Sequence, residues 1–125
     1  MRSIRFATAP FAAVVLACAA CAPAHADMKL EDYRPYENTG ALPDSVKSYV
    51  DGLGEGYVWA NALLATRDEP KIFCTPEFGP PDGDFVSLLN AQIASHAGMT
   101  RPYDDDARLA MILLDALINA FPCKP

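Results

Sequence analysis

The chain has 125 residues, with ten basic and sixteen acidic side chains, a net charge of −6 and four cysteines. This length predicts one domain. The acidic balance argues against nucleic acid or anionic lipid as a partner, because both would be repelled, and suits a basic protein partner or simply solubility.

The first 26 residues predict a cleavable signal peptide. Arg2 and Arg5 precede an uncharged run of mostly Ala, Val, Leu and Phe over 6–22, and Ala24-His25-Ala26 has the small residues that signal peptidase needs before its cut. The run is too short and too rich in alanine to predict a membrane span. Cys21 lacks the preceding leucine of a lipoprotein signal, so lipid anchoring there is the less favoured alternative. We therefore expect a periplasmic protein.

Two cysteines, Cys74 and Cys123, remain after cleavage. The processed chain keeps 99 of the 125 residues and, without the two leader arginines, eight basic against sixteen acidic side chains, a net charge of −8. A domain of this size gains from a cross-link. In an oxidising compartment an isolated pair is most simply a disulfide, worth roughly 4 kcal/mol in the chain-entropy estimate. A reactive thiol or a metal site is the weaker alternative, because no Cys-x-x-Cys remains and one histidine cannot build a zinc site.

The processed chain divides into an extended N-terminal arm (27–42) and a helical domain (43–125). The arm shows no helical period of apolar residues, so we expect little regular structure beyond one short turn at Met28–Tyr33.

A long helix begins at Pro43–Ser45 and runs to about Thr66, with apolar residues at helical spacing. A smooth face on this helix would let another helix pack closely. The alternative is a bend or break near Gly54. The small residues of that face recur at intervals of four: Gly52, Gly56 and Ala60.

Two shorter helices follow a loop rich in proline and glycine. The first starts after Asp82 or Asp84, either of which can cap it, and stops at Gly98. The second, Ala107–Phe121, is apolar on nearly every side, which predicts a central position or contact with a second subunit. Asp104–Asp106 stand before it, where its dipole favours acids. The predicted fold class is all-α: a small bundle of three to four helices, with one disulfide joining the end of the last helix to the loop before the second.

No catalytic arrangement is visible in the sequence. His96 follows Ser95, and we expect neighbours on a helix to point to different sides and form no dyad. The aspartates before the two shorter helices lack the other ligands of a calcium loop, so capping is the preferred interpretation. We predict a binding protein rather than an enzyme, with no cofactor and no metal.

Three segments resemble motifs of a known family. They are Tyr-Val-Asp-Gly-Leu-Gly-Glu-Gly at 49–56, Phe-Cys-Thr-Pro at 73–76 and Ala-Leu-Ile-Asn-Ala-Phe-Pro-Cys at 116–123. In this order, after a signal peptide, they resemble the Rap/Tai immunity proteins of type VI secretion. Members of that family are small periplasmic helical proteins, often homodimers, that bind and block a peptidoglycan-cleaving amidase.

The resemblance spans about Ser45 to Cys123 and implies an all-helical fold and an amidase as the protein partner. A second cysteine pair, common in the family near the first helices, is missing here. The departure leaves the fold expectation intact but puts the identity of the partner in doubt. By residue, the resemblance implies a disulfide between Cys74 and Cys123 and packing roles for Tyr49, Gly52, Gly56 and Phe121.

For the partner contact we predict the loop Gly98–Asp106, with Arg101, Tyr103 and Asp104 reaching into a cleft. The alternative is that these residues only form a helix-capping turn. Two other functions also fit the composition. One is an acid-stress chaperone, whose dimer would dissociate as carboxylates lose charge. The other is a structural protein of the cell envelope.

Overall fold

The computed structural model describes residues 27–76 and 84–124, and within these ranges the chain is helical. The described residues form no strand, only one isolated bridge between Lys29 and Arg108. The predicted all-α fold is therefore confirmed, while the predicted signal peptide and Asp82 lie outside the described residues. No described helix is both long and apolar enough to cross a membrane. The helices are α1 (Leu30–Tyr33), continued by a 3₁₀ turn (Arg34–Tyr36), α2 (Asp44–Thr66), α3 (Phe85–Ala97) and α4 (Leu109–Ala120).

The core lies between α2, α3 and α4, each of which packs against the other two. Apolar residues recur every three or four positions along each helix, so they share the face that points inward. Val50, Leu89 and Leu113, one from each helix, have no exposed surface. Full burial of such a side chain contributes about 1.5–3 kcal/mol, so the shared core stabilises these helices more than their intrinsic propensities do.

The apolar character of α4 is distributed as predicted, but only one side of the helix is covered. Met111 is 57% exposed and Ile118 37% exposed. Both point away from the other two helices, so α4 presents an apolar strip to the outside. Its buried residues are Leu109, Ile112, Leu113, Ala116 and Leu117.

Helix α2 is continuous from Asp44 to Thr66, so the alternative of a break near Gly54 is wrong. Gly54 is the buried glycine of this helix and lies against the ring of Phe85, at the start of α3. A Cβ at residue 54 would stand 2.3 Å from ring atoms of Phe85. The absence of a side chain therefore sets how closely α3 approaches α2.

Helix α3 begins with the cap that the sequence predicts. The Asp84 carboxylate accepts a hydrogen bond from the Ser87 amide at 2.9 Å and another from the Ser87 hydroxyl at 2.5 Å. These bonds hold the pKa of Asp84 below its usual value. Gly98 follows the last turn, as expected.

The N-terminal segment contains the short turn that was predicted at Met28–Tyr33, as α1, but it is packed into the core. Leu30 and Tyr33 are both fully buried, and they belong to the same core as the long helices. The Tyr33 hydroxyl donates to Asn90 Oδ1 at 2.8 Å, which ties α1 to α3. The arm lacks a long helical period because a single turn needs only two apolar residues, three positions apart, to bury one face.

The predicted disulfide between Cys74 and Cys123 is present, with the two Cα atoms 4.9 Å apart. It joins the end of α4 to the loop before α3. A second fastening lies beside it: the buried Asn61 side chain donates to the Phe73 carbonyl at 2.7 Å and accepts from the Ile72 amide at 2.8 Å. The loop is thus held to α2 by hydrogen bonds and to α4 by a covalent bond.

Candidate protein-interaction surface

The connecting loop (98–108) joins α3 to α4, and Tyr103 fastens its centre to both helices. The Tyr103 hydroxyl accepts a hydrogen bond from Gln92 Nε2 at 2.9 Å and donates one to Asp115 Oδ2 at 3.2 Å. Its ring stacks on His96 with centroids 4.3 Å apart. Burial raises the pKa of Tyr103. Tyr103 therefore holds the loop against α3 and α4, a role that was not predicted from the sequence.

Gln92 and Asp115 are the residues that the sequence analysis missed at this site. Gln92 is only 7% exposed, and a buried amide needs a partner because an unpaired one costs about 1–3 kcal/mol. The signal was present in the sequence: Gln92 lies beside Ile93 and three positions after Leu89, on the apolar face of α3. A polar residue on that face calls for a polar partner, which the loop supplies.

The second half of the connecting loop is fastened by the N-terminal segment. Leu30 N donates to the Ala107 carbonyl and Glu31 N to the Asp105 carbonyl, each at 2.8 Å. Arg34 Nε lies 2.7 Å from Asp105 Oδ1. The loop is consequently held on one side by α3 and α4, and on the other by residues 30–34.

Several side chains of this fastened loop are exposed, and Met99, Arg101 and Asp104 are among them. Met99 is 51% exposed, and Arg101 and Asp104 are exposed as well. The Asp104 carbonyl accepts from Ala107 N at 2.9 Å, so the backbone forms a turn while the carboxylate faces outward. We call these three residues the loop surface. It combines an apolar thioether with charges of both signs, which suits contact with a protein.

The Ser95–His96 pair does not behave as predicted. Ser95 Oγ lies 3.3 Å from His96 Nδ1, so the expectation that the two side chains point apart is wrong. The Ser95 hydroxyl, however, donates to the backbone carbonyl of Gln92 at 2.8 Å. This proton is engaged by the helix, and the pair is not arranged as a nucleophile with its base.

Gly52 and Gly56 do not pack against another helix among the described residues, so their predicted packing role stays a prediction about a second chain. Both residues are exposed, and no described atom lies within 4 Å of a Cβ placed on either. The close helix contact is made by Gly54, which faces the opposite side of α2. The other two residues with predicted packing roles, Tyr49 and Phe121, are partly buried against the core.

The exposed glycines share the outer side of α2 with Leu63, which lies on the same side by helical spacing. Leu63 of α2 is 50% exposed, and α2 lies next to α4, to which it is joined by the bond from the Tyr57 hydroxyl to the Ala110 carbonyl at 2.9 Å. This area is a second candidate for contact with a protein. We call it the outer face, and it comprises Gly52, Gly56 and Leu63.

Among the described residues, no group of three or more His, Cys, Asp or Glu side chains could hold a metal ion. Comparison with known proteins found no matching family model, no matching curated protein and no matching solved structure.

Proposed function

We propose that the chain is a periplasmic binding protein that neutralises a peptidoglycan-cleaving amidase by covering its active-site cleft. The proposal extends the resemblance of its motifs to the Rap/Tai immunity proteins. The observation that carries it is the connecting loop, which is fastened on two sides and still exposes Met99, Arg101 and Asp104. The disulfide that the resemblance implies supports it too.

A fastened loop is suited to inhibition because binding then costs little conformational entropy. Ordering a flexible side chain or loop residue at an interface costs about 0.5–1.5 kcal/mol, and here Tyr103 already orders the loop in the free protein. The charges of Arg101 and Asp104 would set orientation and partner choice rather than most of the affinity. Met99 would supply the apolar contact.

The test begins with a pull-down from periplasmic extract, with the processed chain from Asp27 as bait, at neutral pH and moderate salt. We expect one hydrolase in stoichiometric amount, with its peptidoglycan-cleaving activity abolished by the bait. A bait that recovers no hydrolase would count against the proposal.

A charge-reversed variant then tests the surface. Arg101→Glu with Asp104→Lys should weaken binding of the recovered amidase by about 10-fold or more. The matched control reverses another exposed pair of opposite charge, Glu69→Lys with Lys71→Glu, on the loop after α2. Equal affinities for the two variants would show that the connecting loop is not the contact.

We further propose that two copies of the chain associate through the outer face. None of the three residues of this face is charged, and an exposed leucine beside two glycines gives two helices an apolar, close-packing contact. Leu63→Asp should therefore yield a monomer in analytical ultracentrifugation. Ile72→Asp, at an apolar residue that is 49% exposed outside the face, is the control. A wild-type protein that is monomeric at high concentration would refute this proposal.

A further inference from the structure

We propose that a cleft beside the first turns of α2 and α3 binds a neutral sugar, a role separate from the amidase contact and from the association of two copies. The cleft is open to solvent and has a volume of about 330 Å³. We call it the N-terminal cleft, and the lining residues that carry the argument are Tyr36, Leu42, Lys47, Asp84, Val86 and Asn90.

The N-terminal cleft lies where three parts of the chain meet. The 3₁₀ turn and the segment after it form one wall, the first turn of α2 forms the second, and the first two turns of α3 form the third. The bond from the Tyr33 hydroxyl to Asn90 Oδ1 holds the first wall against the third. The volume lies near the lower end of the range of roughly 300–1,000 Å³ that is usual for ligand sites, so it suits a small ligand.

Two uncharged polar groups of the cleft have no hydrogen-bond partner among the described residues. The bond from Tyr33 uses the amide oxygen of Asn90, which leaves both N–H groups of its amide nitrogen without an acceptor in 27–76 and 84–124. The Tyr36 hydroxyl likewise bonds to no described residue. Both side chains are half-buried. A ligand hydroxyl can bond to either group, because a hydroxyl is donor and acceptor at once.

The two charged groups of the cleft are already paired, which disfavours a charged ligand. The Lys47 ammonium forms an ion pair with Asp51, one turn further along α2. Both carboxylate oxygens of Asp84 accept hydrogen bonds from Ser87. A charged ligand would lose part of its hydration and gain no unpaired opposite charge from these two residues, which is costly. A neutral ligand avoids that cost.

The cleft also offers apolar surface beside its polar groups. Leu42 and Val86 are half-buried and pack against the core, and the ring of Tyr36 does the same. A sugar has matching surfaces, with hydroxyl groups around the edge of the ring and C–H groups on its faces that can pack on an aromatic ring. A neutral saccharide therefore satisfies the free donors, the paired charges and the apolar wall together.

Titration with N-acetylglucosamine, followed in amide NMR spectra, tests the site on isotope-labelled protein that is exported as the full chain and purified from the periplasm. We expect a Kd on the order of 1 mM for a ligand of about fifteen non-hydrogen atoms. The shifted signals should be those of the N-terminal cleft, including the side-chain amide of Asn90. Glucosamine, the same ring with a charged amino group, should bind at least about tenfold more weakly.

Two results of this titration would overturn the proposal. One is the absence of shifts in the N-terminal cleft up to about 50 mM N-acetylglucosamine, far above the expected Kd. The other is equal affinity for glucosamine, since the paired charges are the reason for expecting a neutral ligand.

Variants then assign the binding to the cleft. Asn90→Leu should weaken binding at least about tenfold, because the amide donors are lost. Asn119→Leu, the same change at an exposed residue of α4, should bind like the wild type. Tyr33→Phe breaks the same bond to Asn90 but keeps the amide, so its affinity should stay within about threefold of the wild type.

A milder variant covers the case in which Asn90→Leu does not fold. Tyr36→Phe removes only a hydroxyl that bonds to no described residue, so it should keep the thermal stability of the wild type and bind about threefold more weakly. Wild-type affinity in both Tyr36→Phe and Asn90→Leu would refute the proposed site.

Discussion

Replacing Gly54 by alanine should destabilise the protein, although alanine is the better helix former. A Cβ at residue 54 would stand 2.3 Å from Cδ1 and Cγ of Phe85, whereas carbon atoms in contact prefer about 3.5–4.0 Å. The ring, or one of the two helices, must therefore move by more than about 1 Å. Phe85 is only 5% exposed and belongs to the core, so the ring has little room to yield.

Two opposing contributions decide the size of the effect. Alanine in place of glycine inside a helix stabilises by about 1 kcal/mol. Overpacking a core costs about 1–3 kcal/mol, and a displacement of this size belongs in the upper part of that range. The free energy of unfolding should therefore fall by about 1–2 kcal/mol, which lowers Tm by at least about 4 °C for a domain near 100 residues.

Urea unfolding followed by circular dichroism measures the change. The controls are Gly52→Ala and Gly56→Ala, which make the same change in the same helix where none of the atoms in 27–76 and 84–124 lies within 4 Å of the new Cβ. Each should raise the free energy of unfolding by up to about 1 kcal/mol. Phe85→Leu should restore part of the stability lost in Gly54→Ala. A Gly54→Ala protein as stable as either control would refute the proposed close contact between α2 and α3.

Three further predictions concern single polar side chains. Asn61→Ala should lower the free energy of unfolding by about 2–3 kcal/mol in urea titration, since it leaves buried backbone groups near Phe73 without partners. Below about pH 4 the wild type should lose stability that Asp84→Asn does not lose. The hydrogen bonds from Ser87 lower the folded pKa of Asp84. The stability that the Asp84 carboxylate contributes is therefore present above its unfolded pKa near 3.9 and is lost as pH falls through its folded pKa. Tyr103→Phe should speed amide hydrogen exchange in the connecting loop while leaving α2 protected, because the hydrogen bonds of the Tyr103 hydroxyl to Gln92 and Asp115 are lost.

Each of these has an outcome that contradicts it. The control for Asn61 is Asn119→Ala at an exposed position, whose free energy of unfolding is expected to lie within about 0.5 kcal/mol of the wild type. Equal effects of the two substitutions would show that the hydrogen bonds of Asn61 do not stabilise the loop. If the wild type and Asp84→Asn lost the same amount of stability as the pH falls, the Asp84 cap would not be the source of the acid-sensitive stability. Unchanged exchange in the loop of Tyr103→Phe, with Tyr36→Phe as reference, would mean that the backbone bonds to residues 30–31 suffice to hold it.

Much of the helical architecture was predictable because its causes are local. The bounds of α2 and α3 follow from apolar spacing and from terminal residues such as Pro43, Asp84 and Gly98, whose effects reach no further than the next turn. The disulfide was predictable for another reason. Only Cys74 and Cys123 remain after cleavage of the predicted leader, so no other disulfide pairing within the processed chain was possible.

The candidate site depended on contacts between residues distant in sequence, and here the sequence was a poorer guide. Tyr103 was predicted to reach a partner, yet its hydroxyl is shared between Gln92 and Asp115 of two different helices. The N-terminal segment was predicted to be an arm with one short turn; the turn is present as α1, but the sequence did not show that its Leu30 and Tyr33 complete the core. Neither relation leaves a periodic pattern, since each depends on where separate elements meet.

The glycines of α2 show the difference between what the sequence determines and what the tertiary structure decides. By itself, the sequence determined that Gly52 and Gly56 share one face of a helix and that Gly54 lies on another, because helical spacing assigns each residue to a side. Only the tertiary structure decided which side meets α3. Gly54 is the glycine that meets α3 because it lies on the same side of α2 as the core residues Val46 and Val50. The burial of the apolar surface of these valines, not the size of the glycine, orients the helix.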